Sequence, residues 1–212
     1  MRGEGAEGSW KELELSWRRL LVNQIGALRE DGGLTLTGGN LSLRLGDGFL
    51  ITPRFASARL RWKLSPEDLV LVELGGEAEA LAGGEASREV LMHGEIYRRL
   101  GEMRAVCHTH ATVSLTFAVE RRPIPLVGEY RRLFARPEVP LTQSFPSQSR
   151  ELAEEVARVL GEGWQVGSVA AACLIPEHGL VVAVAEAAML AALVMAVEQS
   201  AEVALGRKRL RG

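Results

Sequence analysis

The sequence predicts an α/β protein with a mixed, largely antiparallel central sheet covered by helices. Three observations predict it. Helical segments fall at the start, middle and end of the chain, over residues 10–30, 87–99, 149–160 and 186–205. Between them lie many short strand-like runs, alternating or continuously apolar. Strands and helices do not alternate one for one, which argues against a strict βαβ repeat.

Each element has its own local reason. Leucine, valine and isoleucine at helical spacing make 10–30 an amphipathic helix, and the glycines of "DGGLTLTGGN" end it. "LSLRL" and "GFLITP" alternate around "GDG" and stop at Pro53, the pattern of a hairpin. "SPEDLVLVEL" reads as a short capped turn feeding a strand, and "GGEAEALAGG" as a turn-rich connection. Ser87 is the candidate N-cap of a helix running to Arg99. "RAVCHTHATVSLTF", residues 104–117, is apolar and β-branched and reads as the next strand. "PIPLVG" and "VPLT" are short extended pieces, 149–160 is a helix, "AACLIP" and "GLVVAVA" are strands, and 186–205 is a long closing helix.

At 212 residues the chain has the size of one domain, 1–212, long enough to bury a substantial core. With 47% hydrophobic and 25% charged residues it fits a soluble globular protein rather than a disordered one. A formal net charge of −2 offers no global basic surface to nucleic acid or membrane. The basic tail "GRKRLRG" reads as a solvated helix end. The N-terminus lacks the apolar core of a signal peptide, and the apolar runs are too short or too interrupted to span a bilayer. A cytoplasmic protein is expected. Cys107 and Cys173 lie in apolar runs and are expected to be buried free thiols.

The four histidines carry the chemical signal. On a strand, side chains at i and i+2 share a face, so His108 and His110 can reach one point together. Imidazole is a common zinc ligand, and a catalytic zinc takes three protein ligands and leaves one position open. By itself the pair fits two structural histidines equally well. His178, in "LIPEHGLVV", sits at a turn between two apolar strands and is the natural third ligand; alone it would read as a turn histidine bonded to backbone. Glu89 and His93 are four residues apart on one helix face. Spacing alone favours a surface pair; the alternative makes Glu89 a general base beside a metal.

In chain order, these segments resemble the class II aldolase/adducin family. "TGGNLSLR" resembles its glycine–asparagine–x–serine turn, and "GFLITP" the strand leading to its phosphate loop. "SREVLMHGEIY" resembles its serine–serine–glutamate element, with a histidine four residues on and a tyrosine four after that. "AVCHTHA" resembles its His-x-His strand, and "LIPEHGLVVAV" the strand bearing its third metal-binding histidine. "EQSAEVAL" fits its C-terminal helix. The resemblance implies a three-layer α/β/α fold, often a homotetramer, with Zn2+ on His108, His110 and His178. It places Glu89 on the acid/base glutamate of fuculose-phosphate aldolase; the family's pentulose-phosphate 4-epimerases carry aspartate there, so Glu89 points away from epimerisation. Asn40 and Ser87 fall on residues that hold substrate phosphate. Tyr130 falls roughly where the aldolases have a tyrosine reaching into a neighbouring subunit's site; packing is the other role open to it.

Two departures stand out. The phosphate loop, usually Thr-Pro-Thr-Gly or Thr-Pro-Ser-Gly, is here "TPRF", with Arg54 for the hydroxyl and Phe55 for the glycine. The serine before the catalytic glutamate is Arg88. Losing the glycine removes a place where backbone amides approach phosphate closely. Arg54 and Arg88 are expected to replace those contacts with at least one bidentate grip on phosphate or carboxylate; the alternative is that both pair outward on the surface.

The expected function is a zinc-dependent lyase making or breaking a carbon–carbon bond in a small phosphorylated ketose or related hydroxy-carbonyl compound, through a metal-bound enediolate. Dehydration, as in the family's methylthioribulose-phosphate dehydratases, begins with the same proton removal and is the alternative reaction. A non-catalytic adducin-type interaction module is a third reading, disfavoured because such members lose the metal histidines. A Schiff-base mechanism is disfavoured by lysine count: only Lys11, Lys63 and Lys208 exist, and the surroundings of Lys63, "RLRWKLSP", are not an apolar pocket.

Overall fold

The computed structural model describes residues 4–165 and 167–211. The first residues read for a leader and, in the basic tail, Gly212 and the side chains of 208–211 lie outside that description. A long helix α1 (Glu4–Glu30) leads to the hairpin β1 (Asn40–Leu45) and β2 (Gly48–Ile51). There follow α2 (Ala56–Leu60), β3 (Val70–Glu73), α3 (Glu77–Gly83), α4 (Val90–Arg99), β4 (Ala105–Thr109) and α5 (Thr112–Val119). A two-residue pair, β5 (Ile124–Pro125) and β6 (Glu138–Val139), precedes α6 (Arg150–Gly161), β7 (Ala170–Ile175), β8 (Gly179–Val184) and the closing helix α7 (Leu190–Arg211).

Six strands form one sheet in the order β3-β2-β1-β4-β8-β7, and every neighbouring pair in it is antiparallel. Among the described residues, parallel pairing is confined to isolated bridges at the β7 edge, Phe134 with Ala170 and Leu141 with Leu174. Alternate strand residues feed two cores. Leu41, Leu43, Cys107 and Val182 pack with Leu21, Ile25 and Leu28 of α1 and Leu193 and Val197 of α7. Val106, Val181 and Cys173 pack on the other face with Met92 and Ile96 of α4 and Val156 and Leu160 of α6. That makes three layers. Burial on both faces is why β7 and β8 read as continuous apolar runs rather than alternating ones. Cys107 and Cys173 are buried free thiols, and burial pushes both well above the ordinary thiol range.

The structure departs from the sequence expectation in three places. The strand over 104–117 ends at Thr109, and Thr112–Val119 is helix α5. Thr109 breaks the strand by accepting from Ala111 N at 3.1 Å while donating to the Gly33 carbonyl at 2.5 Å. The Glu198 carboxylate, on α7, then accepts from Val113 N and Ser114 N at 3.2 and 3.0 Å and caps the new helix. The "GGEAEALAGG" connection contains α3, whose buried Glu77 pairs with Arg98 at 2.7 Å and accepts from Gly75 N. Finally, the stretch Ala187–Arg207 is long and apolar enough to cross a membrane by composition, but half of it is buried inside the fold, as befits a core helix.

Register brings the candidate site residues to one end of the sheet. Asn40, the first residue of β1, lies opposite His108 near the end of β4, and Thr109 lies opposite Leu180 near the start of β8. The turn 176–178 closes the β7–β8 hairpin at that same end.

Candidate active site

His108, His110 and His178 converge there from β4, the residue just past it, and the β7–β8 turn. Their ring centroids lie 4.7 to 5.1 Å apart, and one nitrogen from each falls within 4.8 Å of the others. The buried His108 ring donates from Nδ1 to the Leu180 carbonyl at 3.1 Å, which fixes its tautomer and leaves Nε2 as a lone-pair donor. His108 Nε2 and His110 Nε2 are 3.1 Å apart. Two lone pairs so placed suit a shared cation; tetrahedral zinc with nitrogen ligands at ~2.0–2.1 Å separates them by roughly 3.3 Å. Burial lowers the pKa of all three rings, that of His178 to about 4, with neighbouring histidines adding to the effect at His108 and His178. They are neutral, and ligand-ready, at pH 7.

Two glycines make room for this cluster. A Cβ on Gly38 would overlap the His110 ring. A Cβ on Gly179 would lie 3.1 Å from His110 Cδ2 and 3.3 Å from His108 Cε1 and collide with the Thr109 carbonyl. The turn itself is pinned, with Glu177 N donating to the Ala118 carbonyl at 3.2 Å and His178 N to the Ile175 carbonyl at 3.0 Å.

Glu89 stands beside the histidines, its Oε1 4.0 Å from His178 Nε2. Burial raises its pKa to about 7, with Arg88 opposing the shift. Its backbone NH donates to Ser87 Oγ at 3.3 Å, and α4 begins one residue later, at Val90, rather than at Ser87. The loop segments 52–54 and 85–87 are laced together: Ser87 N donates to the Thr52 carbonyl, Arg54 N to the Glu85 carbonyl, and Pro53 bridges Ala86.

His93 is not on the surface with Glu89. It is fully buried, its Nε2 2.6 Å from Asn40 Oδ1 and its Nδ1 2.5 Å from Ser42 Oγ, which in turn lies 2.7 Å from Tyr97 Oη. Burial lowers the His93 pKa to about 3, so this ring too is neutral. Ser42 and Tyr97 join this hydrogen-bond chain, and the sequence expectation does not name either as a candidate site residue. Their signal is nonetheless there, since Asn40 and Ser42 share a strand face and His93 and Tyr97 a helix face.

The arginines part company. Arg54 turns its guanidinium away, Nη2 donating to the Leu81 carbonyl at 2.7 Å while Nε is buried without a partner. Arg88 stays exposed, 5.4 Å from the Phe55 ring centroid, and its charge is felt by both Glu89 and His178. Phe55 keeps the left-handed backbone, φ 63°, that glycine adopts freely. Tyr130 lies on a short 3-10 helix, Glu129–Leu133, 44% exposed, on a groove with Asp31, Val113 and Glu198 that contains none of the three histidines. Within one chain it is not part of the cluster.

A family model described as the class II aldolase and adducin N-terminal domain matches residues 20–205. The chain belongs to this family. Like other class II aldolase family members it is similar to a methylthioribulose-1-phosphate dehydratase of Methylococcus capsulatus, at 42% identity over 39% of this chain and 39% of that protein. It is 31% identical to a 5-methylthioribulose-1-phosphate/5-deoxyribulose-1-phosphate aldolase of Rhodospirillum rubrum, over 68% of this chain and 60% of the relative. These matches thus span less than two thirds of the curated relatives' own length. A crystal structure titled L-fuculose-1-phosphate aldolase from Thermus thermophilus superposes with a TM-score of 0.75 at 30% identity, over 94% of this chain and 97% of that one.

Proposed function

We propose that this protein is a zinc-dependent lyase that makes or breaks a carbon–carbon bond in a small phosphorylated ketose. The observation that carries the proposal is the meeting of three neutral imidazoles with a buried carboxyl whose pKa is near 7. His108, His110 and His178 would hold the zinc, which when bound supplies Lewis-acid polarisation of the substrate's carbonyl and adjacent hydroxyl oxygens. Glu89 would take the proton from the substrate and return it. A carboxyl poised near neutrality populates both forms, as that two-way task needs. The Leu180 carbonyl holds His108 in the ligating tautomer, and the Gly38 and Gly179 approaches hold His110 against it.

Asn40, Ser87 and Arg88 border the neighbouring loops and would receive the phosphate, with Arg88 as the charged contact. Arg54 instead would brace the loop from behind through Leu81. Tyr130, exposed on its own chain, would serve a neighbouring subunit in a cytoplasmic homotetramer. Dehydration is the second reading, favoured by the 42% identity to a methylthioribulose-1-phosphate dehydratase. An adducin-type module has no use for a ready metal site. The test is a screen of phosphorylated ketoses with zinc-loaded protein, following aldehyde release and loss of water in parallel. Aldehyde release supports the aldol reading, water loss the dehydratase, and neither product from any ketose would sink both.

A further inference from the structure

We infer that Tyr97, acting through Ser42 and His93, fixes the Asn40 side-chain amide so that only its NH2 group faces the candidate site. His93 and Tyr97 are then positioning residues for the anion end of the site. The inference rests on the assignment of Asn40 to the substrate's anionic group proposed above.

The direction of the hydrogen-bond chain follows from counting hydrogens. Tyr97 is fully buried, and among the described residues its hydroxyl has one polar neighbour, Ser42 Oγ at 2.7 Å. If Ser42 donated to Tyr97, the buried phenolic hydrogen would have no acceptor, a loss that buried donors rarely suffer. Tyr97 therefore donates to Ser42, and the Ser42 hydrogen goes to His93 Nδ1 at 2.5 Å. A fully buried imidazole with no carboxylate partner is neutral and carries one hydrogen, which must then be on Nε2. Nε2 donates to Asn40 at 2.6 Å, so the atom it meets is the amide oxygen. Every hydrogen in the chain is used, and all point toward Asn40.

Asn40 is left with its two N–H donors. No described residue accepts from Asn40 Nδ2, and that nitrogen is not among the fully buried polar atoms lacking a partner, so on an otherwise buried side chain it is the group that keeps contact with solvent. An amide pinned this way offers donors and no acceptor. It selects for oxygen acceptors such as phosphate or carboxylate and against hydroxyl donors. Free to flip, Asn40 would tolerate either. The site thus derives a polarity preference from a phenol three hydrogen bonds away.

The test uses zinc-loaded full-length protein. Nitrogen-15 NMR of labelled histidine should show His93 protonated at Nε2 and bare at Nδ1; the opposite tautomer would overturn the inference. Inorganic phosphate affinity, read by titration, should fall about fivefold in Asn40→Ala, the size expected for one lost hydrogen bond. Tyr97→Phe, which preserves the ring's packing, should fall part of the way with zinc content unchanged. His93→Leu should match Asn40→Ala and add nothing to it in the double variant, while His93→Gln, which restores a donor, should recover part of the loss. If Asn40→Ala binds phosphate as the parent does, the Asn40 assignment fails and takes the inference with it. If Asn40→Ala is weakened but Tyr97→Phe and His93→Leu are not, the inference alone fails.

Discussion

The two ends of the candidate site are built differently. The histidine end rests on paired strands: β1, β4 and β8 are locked in register, His108 is tied to the Leu180 carbonyl, and glycines press against the rings. The anion end rests on two loops laced together by a few backbone bonds, with a left-handed phenylalanine and two long arginines. Spacing in the sequence foretells the first end because a strand gives a side chain few directions. It foretells the second poorly because an arginine on a loop has many rotamers, and Arg54 and Arg88 end on different partners, the Leu81 carbonyl and the Phe55 ring.

That contrast can be pressed experimentally. The largest effects belong to the histidine end. Replacing His108, His110 or His178 by alanine should strip the metal and activity with it, read by metal analysis, while the circular dichroism spectrum persists. Full metal retention in His178→Ala would remove it from the ligand set. Glu89→Gln should keep the metal and lower turnover by about 10²–10⁴-fold, since the amide cannot accept a proton; a loss under about tenfold would show that Glu89 is not the base.

Intermediate effects mark the boundary between the two ends. Gly38→Ala should weaken metal binding without unfolding the protein, because the new methyl displaces His110 and leaves the other ligands in place. Arg88→Ala should raise KM by roughly tenfold or more, the value of one charge-assisted contact, and Lys should rescue it poorly. Arg88 also holds the Glu89 pKa down from where burial alone would put it. Removing it should move the acid limb of the kcat/KM profile to higher pH than in the parent. A limb that stays put or moves down would show that Arg88 is not near the working carboxyl.

The smallest effects should come from the back of the anion end. Arg54→Ala should leave KM almost unchanged and lower Tm, as its guanidinium braces Leu81 rather than the candidate site. The metal-free protein should lose stability as pH falls from 6.5 toward 4. A histidine whose folded pKa is depressed to about 4, as His178 is, binds fewer protons folded than unfolded in that window, so unfolding gains as acid is added. Thermal melts across pH 4–7 read this directly, and metal should flatten the dependence.

Much of the site is legible in the amino-acid sequence. His108, His110, His178 and Glu89 are candidates by type and sequence context, Asn40 by the family resemblance, and the fold gathers them at one end of one sheet. Other features stay hidden because they depend on partners far along the chain. The helical state of 112–119 needs Glu198, 84 residues from Ser114, to cap it. Spacing makes His93 a surface partner of Glu89 because helix periodicity says which residues share a face, not what that face meets. The face meets β1, and His93 closes on Asn40 and Ser42, 53 and 51 residues away.

By itself, then, the sequence determined the layered fold class and the identity of the metal-binding candidates. Short-range periodicities, two residues for a strand and about 3.6 for a helix, give the helix-covered sheet and the pairing of His108 with His110; the three-layer arrangement and the three-histidine ligand set are what the family resemblance implies. Tertiary structure alone decided the protonation and aim of those groups. Glu89 reaches a pKa of about 7 only because the packed fold removes water from it, and His93 turns Asn40 only because a strand and a helix close on one another. Burial and long-range hydrogen bonds are properties of neighbours in space, and a chain acquires such neighbours only by folding.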